Sequence, residues 1–255
     1  MIRFVIRHPH ILTTPRNVAH ELGIRTRIAR QYHEARWGGV NPDFFMHYPP
    51  PAIVQTRRDR TLNEYMGLFD FFSSNKRDQR RGIARHGLPV PTETNFVIGH
   101  DKMVVRPLRH QGGAGWRISD HPNDYDPRTH YGAKLFPKTH EYRIIYVKGK
   151  PIIFLKKVKN DRNLQADQPW NHGNTHFSTV DRVDWPRSNL AVHTRCFQLL
   201  DECSIIRNAD YVGVDVLYNR NSHDWCVCEF NSCPGLTIED NIKEVARAIQ
   251  APQGV

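Results

Sequence analysis

Two pairs of alternating apolar segments in the second half of the chain most constrain its fold. The segment EYRIIYVKGKPIIFLKKV turns at Lys148-Gly149-Lys150, and YVGVDVLYN is followed by a polar turn and then by WCVCEFN. Each pattern is typical of a β-hairpin, because runs of β-branched and aromatic residues flank a short turn. The sequence therefore predicts antiparallel sheet in this half of the chain.

The second hairpin contains polar residues where a buried strand should be apolar. Side chains alternate along a strand, so Trp225, Val227, Glu229 and Asn231 are predicted to share one face. Antiparallel pairing would bring Asp215, from the preceding strand, to Glu229 and Asn231. Two carboxylates and an amide form the hard oxygen set that Mg²⁺ prefers, and an unpaired buried acid is costly. The alternative is that Glu229 pairs with an arginine or lysine at the sheet edge.

The remaining segments mix strands and helices, and no internal repeat is present. Ser73 or Ser74 can cap a helix that starts near Asn75 and ends at Gly87. The other predicted elements include a strand at 1–7, a helix at 16–36, an extended piece at 49–54, a short helix at 61–72, the strands NFVIG, KMVVRPL, WRIS and YGAKLFP, and helices at 189–206 and 239–250.

Two further features suit a bound anion. The glycine-rich segment HQGGAGW follows the strand VVRPL, so its amides can approach a phosphate closely and Arg106 adds a cation. It contains neither a P-loop nor a dinucleotide fingerprint, and many such loops are simple turns. In the first hairpin, Glu141 and Arg143 share a face, while Lys156 and Lys157 lie on the return strand. A row of cations suits polyphosphate, although a solvated hairpin has the same pattern.

Composition limits the partners and the compartment. The 255 residues carry a net charge of +10, which indicates an anionic partner such as nucleic acid, a nucleotide or an acidic substrate. No segment has the length of a membrane helix or a signal peptide, so a cytoplasmic protein is predicted. Three of the five cysteines, Cys226, Cys228 and Cys233, crowd together, which suits reduced thiols. Their C-x-C-x4-C spacing lacks the second pair of a zinc site.

Taken in this order, the segments resemble the ATP-grasp superfamily, specifically its RimK-like carboxylate–amine ligase branch, from about Asn75 to Leu236. The resemblance is carried by NK and the later GLPVP, by VVRPLRHQGGAGW, by LFPKTHEYRIIYVKGKPI, by NHGN, and by VGVDVLY with CEFNSCPGL. The last of these is the most specific.

The resemblance implies an α+β fold in which two α+β subdomains clasp ATP, preceded by a small N-terminal α/β domain. The implied boundaries are 1–72 for the N-terminal domain, 73–136 for the small subdomain with its glycine-rich loop, and 137–255 for the large subdomain with the metal site. The implied activity is an ATP- and Mg²⁺-dependent ligase that forms a C–N bond through an acyl phosphate, with ADP and phosphate as products.

The resemblance also implies roles for individual residues. Asp215, Glu229 and Asn231 would hold Mg²⁺, with Mn²⁺ as a substitute, and Arg143 and Asn171 would be catalytic. The residues that would bind the nucleotide are Lys76, Arg106, Gln111, Gly112, Gly113, Gly115, Lys134, Leu135, Phe136 and, from the cation row, Lys156. Arg106 stands where the family usually has lysine, and the two cations are not interchangeable in geometry.

Two other functions fit the same sequence. A basic nucleic-acid-binding protein without catalysis would explain the net charge, and an ATP-grasp kinase acting on a hydroxyl would keep the fold and change the acceptor. For the ligase, the predicted partners are ATP and a carboxylate and an amine on small molecules or peptides. Nucleic acid as a further partner, and a homo-oligomer, stay open.

Overall fold

A computed structural model of the protein describes residues 4–6, 20–21, 26–28, 75–94, 102–109, 115–119, 121, 125–160, 170, 174–181, 190–209, 211–231, 236 and 238–250. The strands in these ranges are β1 (Phe4–Ile6), β2 (Thr26–Ile28), β3 (Met103–Pro107), β4 (Arg117–Ser119), β5 (His130–Lys134), β6 (His140–Val147), β7 (Lys150–Lys159), β8 (Thr175–Thr179), β9 (Tyr211–Tyr218) and β10 (Trp225–Asn231). The helices are α1 (Lys76–Arg85), α2 (Leu190–Glu202), α3 (Ser204–Asn208) and α4 (Glu239–Gln250). No described helix has the length and apolarity that crossing a membrane would require.

The strands form three sheets. The largest has the order β10-β9-β6-β7-β8, the second has the order β4-β3-β5, and β1 pairs with β2. All pairs in the two larger sheets are antiparallel, whereas β1 and β2 are parallel. Both predicted hairpins are therefore confirmed.

The turn of the first hairpin has a backbone conformation that favours pairing of its two strands. Lys148 and Gly149 both have positive φ, at 49° and 75°. Two consecutive residues with positive φ are the signature of a type I′ turn, whose twist matches that of the flanking strands.

The helix predicted at 16–36 is wrong over part of its length. Within the described residues of that range, His20 and Glu21 are helical, but Thr26–Ile28 forms strand β2 beside β1. Two β-branched residues in three favour the extended backbone once a neighbouring strand is available.

Helix α1 begins at a different cap from the one predicted. The side chain of Asn75 accepts hydrogen bonds from two amides of the first turn, at 3.1 and 3.3 Å. Asn75 is therefore the N-cap, instead of Ser73 or Ser74. Gly87 follows the helix with φ of 78°, which confirms the predicted end.

Helix α1 is fixed against the edge strand β10. Gln79 donates a hydrogen bond from Nε2 to the carbonyl oxygen of Phe230 at 2.9 Å. Ile83 is fully buried in the same apolar layer as Val227 and Phe230. These contacts hold the N-terminal end of α1 beside the end of β10 where Glu229 and Asn231 lie.

The two faces of the five-stranded sheet differ in chemistry. One face packs against α2 and α3 in a layer that includes Ile144, Val214 and Val216 of the sheet. On the opposite face, α4 covers a second apolar cluster that includes Ile145 and Leu155. Nearer the start of β6, this second face carries charged side chains.

A β-bulge in the last hairpin changes which residues share a face. The register shifts between Val227 and Glu229, so Cys228 is the extra residue, and Glu229 lies opposite Asp215. Val227 is buried in the layer against α2 and α3, and Trp225 packs on that layer. The prediction that Trp225 and Val227 share a face with Glu229 is therefore wrong, and the bulge is what turns Glu229 towards the charged face.

Candidate active site

The three predicted metal ligands converge at the charged end of the β9–β10 hairpin. Asp215 and Glu229 are direct cross-strand neighbours, and such neighbours have Cβ atoms about 5 Å apart. Asn231 donates a hydrogen bond from Nδ2 to Oδ2 of Asp215 at 3.1 Å. The structure thus brings two carboxylates and an amide together on one face.

Each carboxylate has a cationic partner. Arg143 is the cross-strand neighbour of Asp215 on β6 and binds it in a fork, with Nε 2.6 Å from Oδ1 and Nη2 2.8 Å from Oδ2. Lys76, the first residue of α1, places Nζ 3.1 Å from Oε2 of Glu229. The alternative raised from the sequence, a lysine pairing with Glu229, is therefore present. It does not explain why a second acid and a second cation lie beside this pair.

The two acids respond differently to their surroundings. Burial raises the pKa of Asp215, because Arg143 offsets only part of the desolvation and the nearby Glu229 carboxylate adds to it. Burial would also raise the pKa of Glu229, but Lys76, Arg106 and Arg143 together lower it below its ordinary value. A cation bound between these two buried carboxylates would stabilise the ionised forms of both.

Arg106 approaches this cluster from the three-stranded sheet. Its Nη1 lies 3.6 Å from Sγ of Cys228, the bulge residue next to Glu229. The backbone amide of Lys76 donates to the carbonyl oxygen of Leu108 at 2.7 Å, which ties the start of α1 to the end of β3. Lys76 and Arg106 are far apart in the sequence, but the fold brings both of them close to Glu229.

A second ion cluster lies further along the same face. Glu141 is buried between two lysines, with Lys138 Nζ and Lys157 Nζ each 2.6 Å from one of its oxygens. Burial opposes the ionised form, but the two lysines lower the pKa of Glu141 to about 2. Lys157 also donates to the carbonyl oxygen of Trp170 at 2.9 Å, and Lys138 lies 4.5 Å from the centroid of the Trp170 ring.

The structure does not bring Lys156 to this face. Lys156 pairs with Tyr142, and Tyr142 is buried in the layer against α2 and α3. Lys157 occupies the position on the charged face, opposite Glu141. Of the two lysines predicted for the cation row on the return strand, Lys157 therefore lies on this face and Lys156 does not.

The predicted adenine segment follows β5 and joins the two larger sheets. The amide of Lys134 donates to Thr92 O at 2.8 Å, and that of Leu135 donates to Lys102 O at 2.9 Å. The carbonyl oxygen of Phe136 accepts from the amide of Lys138 at 2.7 Å. These three backbone groups already form hydrogen bonds within the protein. Adenine bound at this segment would therefore have to use the segment's other backbone groups.

The end of the glycine-rich loop has a backbone that requires glycine. Gly115 has φ of 74°, and a Cβ there would lie 2.9 Å from Cγ of Pro107. The other predicted loop residues, Gln111, Gly112 and Gly113, lie outside the described residues, as does Asn171.

Comparison with solved structures assigns the fold. A scan against protein-family models finds no match, and a search of curated proteins finds no significant one. The D-alanine–D-alanine ligase of Bacillus anthracis superposes with a TM-score of 0.61 at 12% identity, over 98% of this chain and 96% of that chain. The ATP-grasp ligase PsnB in complex with a minimal precursor gives 0.55 at 13% identity, over 98% of both chains. N5-carboxyaminoimidazole synthase of Aspergillus clavatus, in complex with ADP and 5-aminoimidazole ribonucleotide, gives 0.56 at 12% identity, over 99% of this chain and 78% of that chain.

The chain has the ATP-grasp fold. The predicted α+β fold class is confirmed, whereas the RimK-like branch and the three domain boundaries stay predictions. Other structures of the same relatives hold ligands: the D-alanine–D-alanine ligase has been solved with ATP, with a TM-score of 0.58 at 11% identity, and PsnB with its precursor, Mg and ADP, with 0.53 at 14% identity.

The donor set of this candidate site fits a hard divalent cation. No group of three or more His, Cys, Asp or Glu side chains in the described ranges can hold a metal ion, so the third protein ligand would be the amide of Asn231. Two neighbouring carboxylates and an amide oxygen suit Mg²⁺, which keeps several non-protein ligands. Asn231 presents Nδ2 to Asp215, which leaves Oδ1 as the donor it could offer to a cation.

Sequence reasoning missed three side chains of this face. Lys138 pairs with Glu141, Phe177 lies 4.4 Å beneath the Arg143 guanidinium, and Arg80 packs on Tyr131, the cross-strand neighbour of Arg106. Arg80 had a detectable signal, because it follows Lys76 by four residues on a helix and so shares its face. The others depend on strand registers that the sequence does not show.

Proposed function

We propose that the protein is an ATP- and Mg²⁺-dependent ligase that joins a carboxylate to an amine through an acyl phosphate. The observation that carries the proposal is the convergence of Asp215 and Glu229 with Lys76, Arg106 and Arg143 on one face of the sheet. Two oxygen-ligand acids beside three cations are suited to a metal-bound polyphosphate, which offers a cation to the acids and anions to the cations.

The residues have separate tasks in this proposal. Lys76 and Arg106 bind phosphate oxygens of the nucleotide, and Asp215, Glu229 and Asn231 hold Mg²⁺. Bound Mg²⁺ would supply charge neutralisation at the polyphosphate. Because Lys76 is paired with Glu229 and Arg143 with Asp215, binding requires each cation to move from its carboxylate towards a phosphate.

Arg143 is the residue proposed to act on the transferred group. It lies between the acids and Phe177, so the fork to Asp215 positions its guanidinium before the nucleotide binds, and the aromatic ring beneath supports it when the guanidinium turns from Asp215 towards the phosphate. Phosphoryl transfer depends mainly on positioning and on charge stabilisation, and a held guanidinium provides both. The γ-phosphoryl group passes to a substrate carboxylate, ADP leaves, and the amine then displaces phosphate to form the C–N bond.

The structural neighbours support this class of reaction. A D-alanine–D-alanine ligase and an ATP-grasp ligase acting on a precursor share the fold, and these two have been solved with ATP and with Mg and ADP, respectively. We propose the RimK-like branch on the CEFNSCPGL segment and on the Glu141-x-Arg143 strand. Mn²⁺ as a substitute metal, a nucleic acid partner and a homo-oligomer stay predictions.

The test combines a trap with a variant. Purified protein, ATP, Mg²⁺, a panel of carboxylic acids and hydroxylamine should yield hydroxamate together with ADP. Glu229→Gln should abolish Mg²⁺-dependent turnover while the circular-dichroism spectrum stays that of the wild type. Glu239→Gln, at an exposed acid of α4, is the matched control and should retain full activity.

The same experiment separates the alternatives. Wild-type activity in Glu229→Gln contradicts the assigned metal site. A stable phosphoester that forms without hydroxylamine identifies a kinase acting on a hydroxyl. An absence of heat on titration with MgATP or MgADP overturns the proposal as a whole.

A further inference from the structure

Buried polar atoms without partners collect in one place in this protein. Among the described residues, the buried side-chain nitrogens that lack a hydrogen-bond partner are Nε and Nη1 of Arg80 and Nε of Arg106, and the equally buried hydroxyl of Tyr131 beside them interacts with the Arg106 side chain. Folded proteins satisfy most such atoms, because each orphan loses its hydration without compensation. Orphaned donors on two neighbouring arginines of the described residues therefore indicate a missing ligand more than imperfect packing.

The three side chains form one continuous layer. The guanidinium carbon of Arg80 lies 5.2 Å from the centroid of the Tyr131 ring. Tyr131 is the cross-strand neighbour of Arg106 in the β3–β5 pair. Arg106 in turn reaches Cys228, next to Glu229. Arg80 is thus connected to the acid cluster through groups that touch one another.

Helix geometry gives the same placement independently. Arg80 follows Lys76 by four residues in α1, and residues with this spacing lie one above the other on a single face. Lys76 uses that face to reach Glu229. Arg80 is only 6% exposed, so it is a buried cation on the side of α1 that faces the candidate active site.

The charges in this layer do not balance. Lys76 and Arg106 share the single carboxylate of Glu229, and no described carboxylate forms a salt bridge with Arg80. A buried arginine without an anion is costly, and its planar set of donors matches phosphate oxygens in particular. The layer therefore has more positive charge and more N–H donors than its described acceptors use, at the place where a phosphate would bind.

We propose that Arg80 is a phosphate-binding residue of the nucleotide site, acting with Lys76 and Arg106. This inference rests on the proposed function, since it assumes that the cleft takes a nucleotide. The competing explanation is that Arg80 only packs on Tyr131 and has no role in binding. The two explanations predict opposite changes in the ligand-free protein and in the affinity for phosphate.

Arg80→Met tests the inference, because methionine keeps much of the apolar stem and removes the guanidinium. The dissociation constant for MgADP should rise about tenfold or more, as expected for a lost hydrogen bond to a charged group. The affinity for adenosine, which has no phosphate, should stay that of the wild type. The thermal midpoint of the ligand-free protein should be equal or higher, since the orphaned donors are gone.

Two further variants support the interpretation of the result. Arg85→Met changes an exposed arginine in the last turn of the same helix and should alter neither affinity nor midpoint. Arg80→Lys keeps the charge and loses the fork, so MgADP affinity should fall to a value between wild type and Arg80→Met. If Arg80→Met does not fold, Arg80→Lys decides by the same comparison of MgADP with adenosine.

The outcomes separate this inference from the proposed function. MgADP binding that is unchanged in Arg80→Met or Arg80→Lys, or a lower midpoint with unchanged affinity, would show a packing role and overturn the inference alone. Equal losses for MgADP and adenosine would show a disturbed pocket and overturn it as well. A wild-type protein that binds no nucleotide would overturn both the inference and the proposed function.

Discussion

The ion cluster around Glu141 allows a quantitative prediction of stability. Glu141→Gln keeps the shape of the side chain and removes the charge that Lys138 and Lys157 share. The lysines lower the pKa of this buried acid from its ordinary 4.5 to about 2. At about 1.4 kcal/mol per pH unit, the ionised form of Glu141 stabilises the folded protein by about 3 kcal/mol at neutral pH.

The sign of this contribution fixes its pH dependence. Because the folded pKa lies below the unfolded one, the stabilisation is complete above pH 4.5 and is lost as the pH falls towards about 2. The difference in unfolding free energy between wild type and Glu141→Gln should therefore be about 3 kcal/mol at pH 7. It should fall to about half of that near pH 3, because the carboxyl is then mostly protonated in the unfolded chain but still mostly ionised in the folded protein.

Urea denaturation of both proteins between pH 7 and pH 3 measures the difference directly. Glu239→Gln serves as the control, because Glu239 also pairs with a lysine but at an exposed position, and its urea midpoint should not change. A Glu141→Gln difference that is independent of pH, or one below about 1 kcal/mol at pH 7, would refute the electrostatic explanation.

Two further predictions concern packing and thiol access. Gly132→Ala should destabilise the protein by about 2–3 kcal/mol in urea denaturation, because a Cβ there overlaps Met103 Sδ and a backbone carbonyl oxygen that cannot move away. Gly87→Ala, with φ of 78° but open space around it, should cost only about 1 kcal/mol, and equal losses would contradict this ranking. Iodoacetamide at pH 8 should label half-buried Cys228 before buried Cys226, whose pKa burial raises well above its ordinary value, as peptide mass spectrometry can show. MgADP should slow the labelling of Cys228, and an equal rate with and without MgADP would place the nucleotide elsewhere.

Local patterns in the sequence were enough to predict most elements of the described fold. The Lys148-Gly149 turn, the strands on either side of it, and the glycine that follows α1 each follow from rules that act over a few residues. The proximity of Asp215 and Glu229 also followed, because a hairpin brings facing parts of its two strands together, although the bulge at Cys228 is what places both side chains on one face. These features needed no knowledge of distant contacts.

Bulges account for the errors in side-chain direction. A regular two-residue turn after Val147 would pair Glu141 with Lys156. One extra residue in β7, between the partners of Ile145 and Tyr146, moves the pairing so that Lys156 meets Tyr142 and Lys157 faces Glu141. A one-residue change of register exchanges the two faces of a strand, so neither Lys157 nor the orientation of Val227 could be read from alternation alone.

Contacts between distant segments account for the side chains that were missed. The cap at Asn75 was within reach of local rules, but the position of Arg80 depends on a tyrosine about fifty residues later in the chain, on strand β5. No pattern in the sequence predicts that helix α1 lies between the two larger sheets. That placement is what buries the Arg80 guanidinium against Tyr131.

The ion pairs across the cleft make nucleotide binding an exchange and not a simple addition. Lys76 on α1 is tied to Glu229 on β10, and Arg143 is tied to Asp215. A polyphosphate with its metal ion can replace both pairs at once, because it offers anions to the cations and a cation to the carboxylates. A nucleotide without the metal would satisfy Lys76 and Arg143 but leave two neighbouring carboxylates buried and unpaired, which is strongly unfavourable.

The affinity for ADP should therefore depend steeply on Mg²⁺ in the wild type and only weakly in Glu229→Gln, where one of the two charges is gone. Calorimetric titration with and without Mg²⁺ measures both dependences, and a wild-type affinity that ignores Mg²⁺ would contradict the exchange.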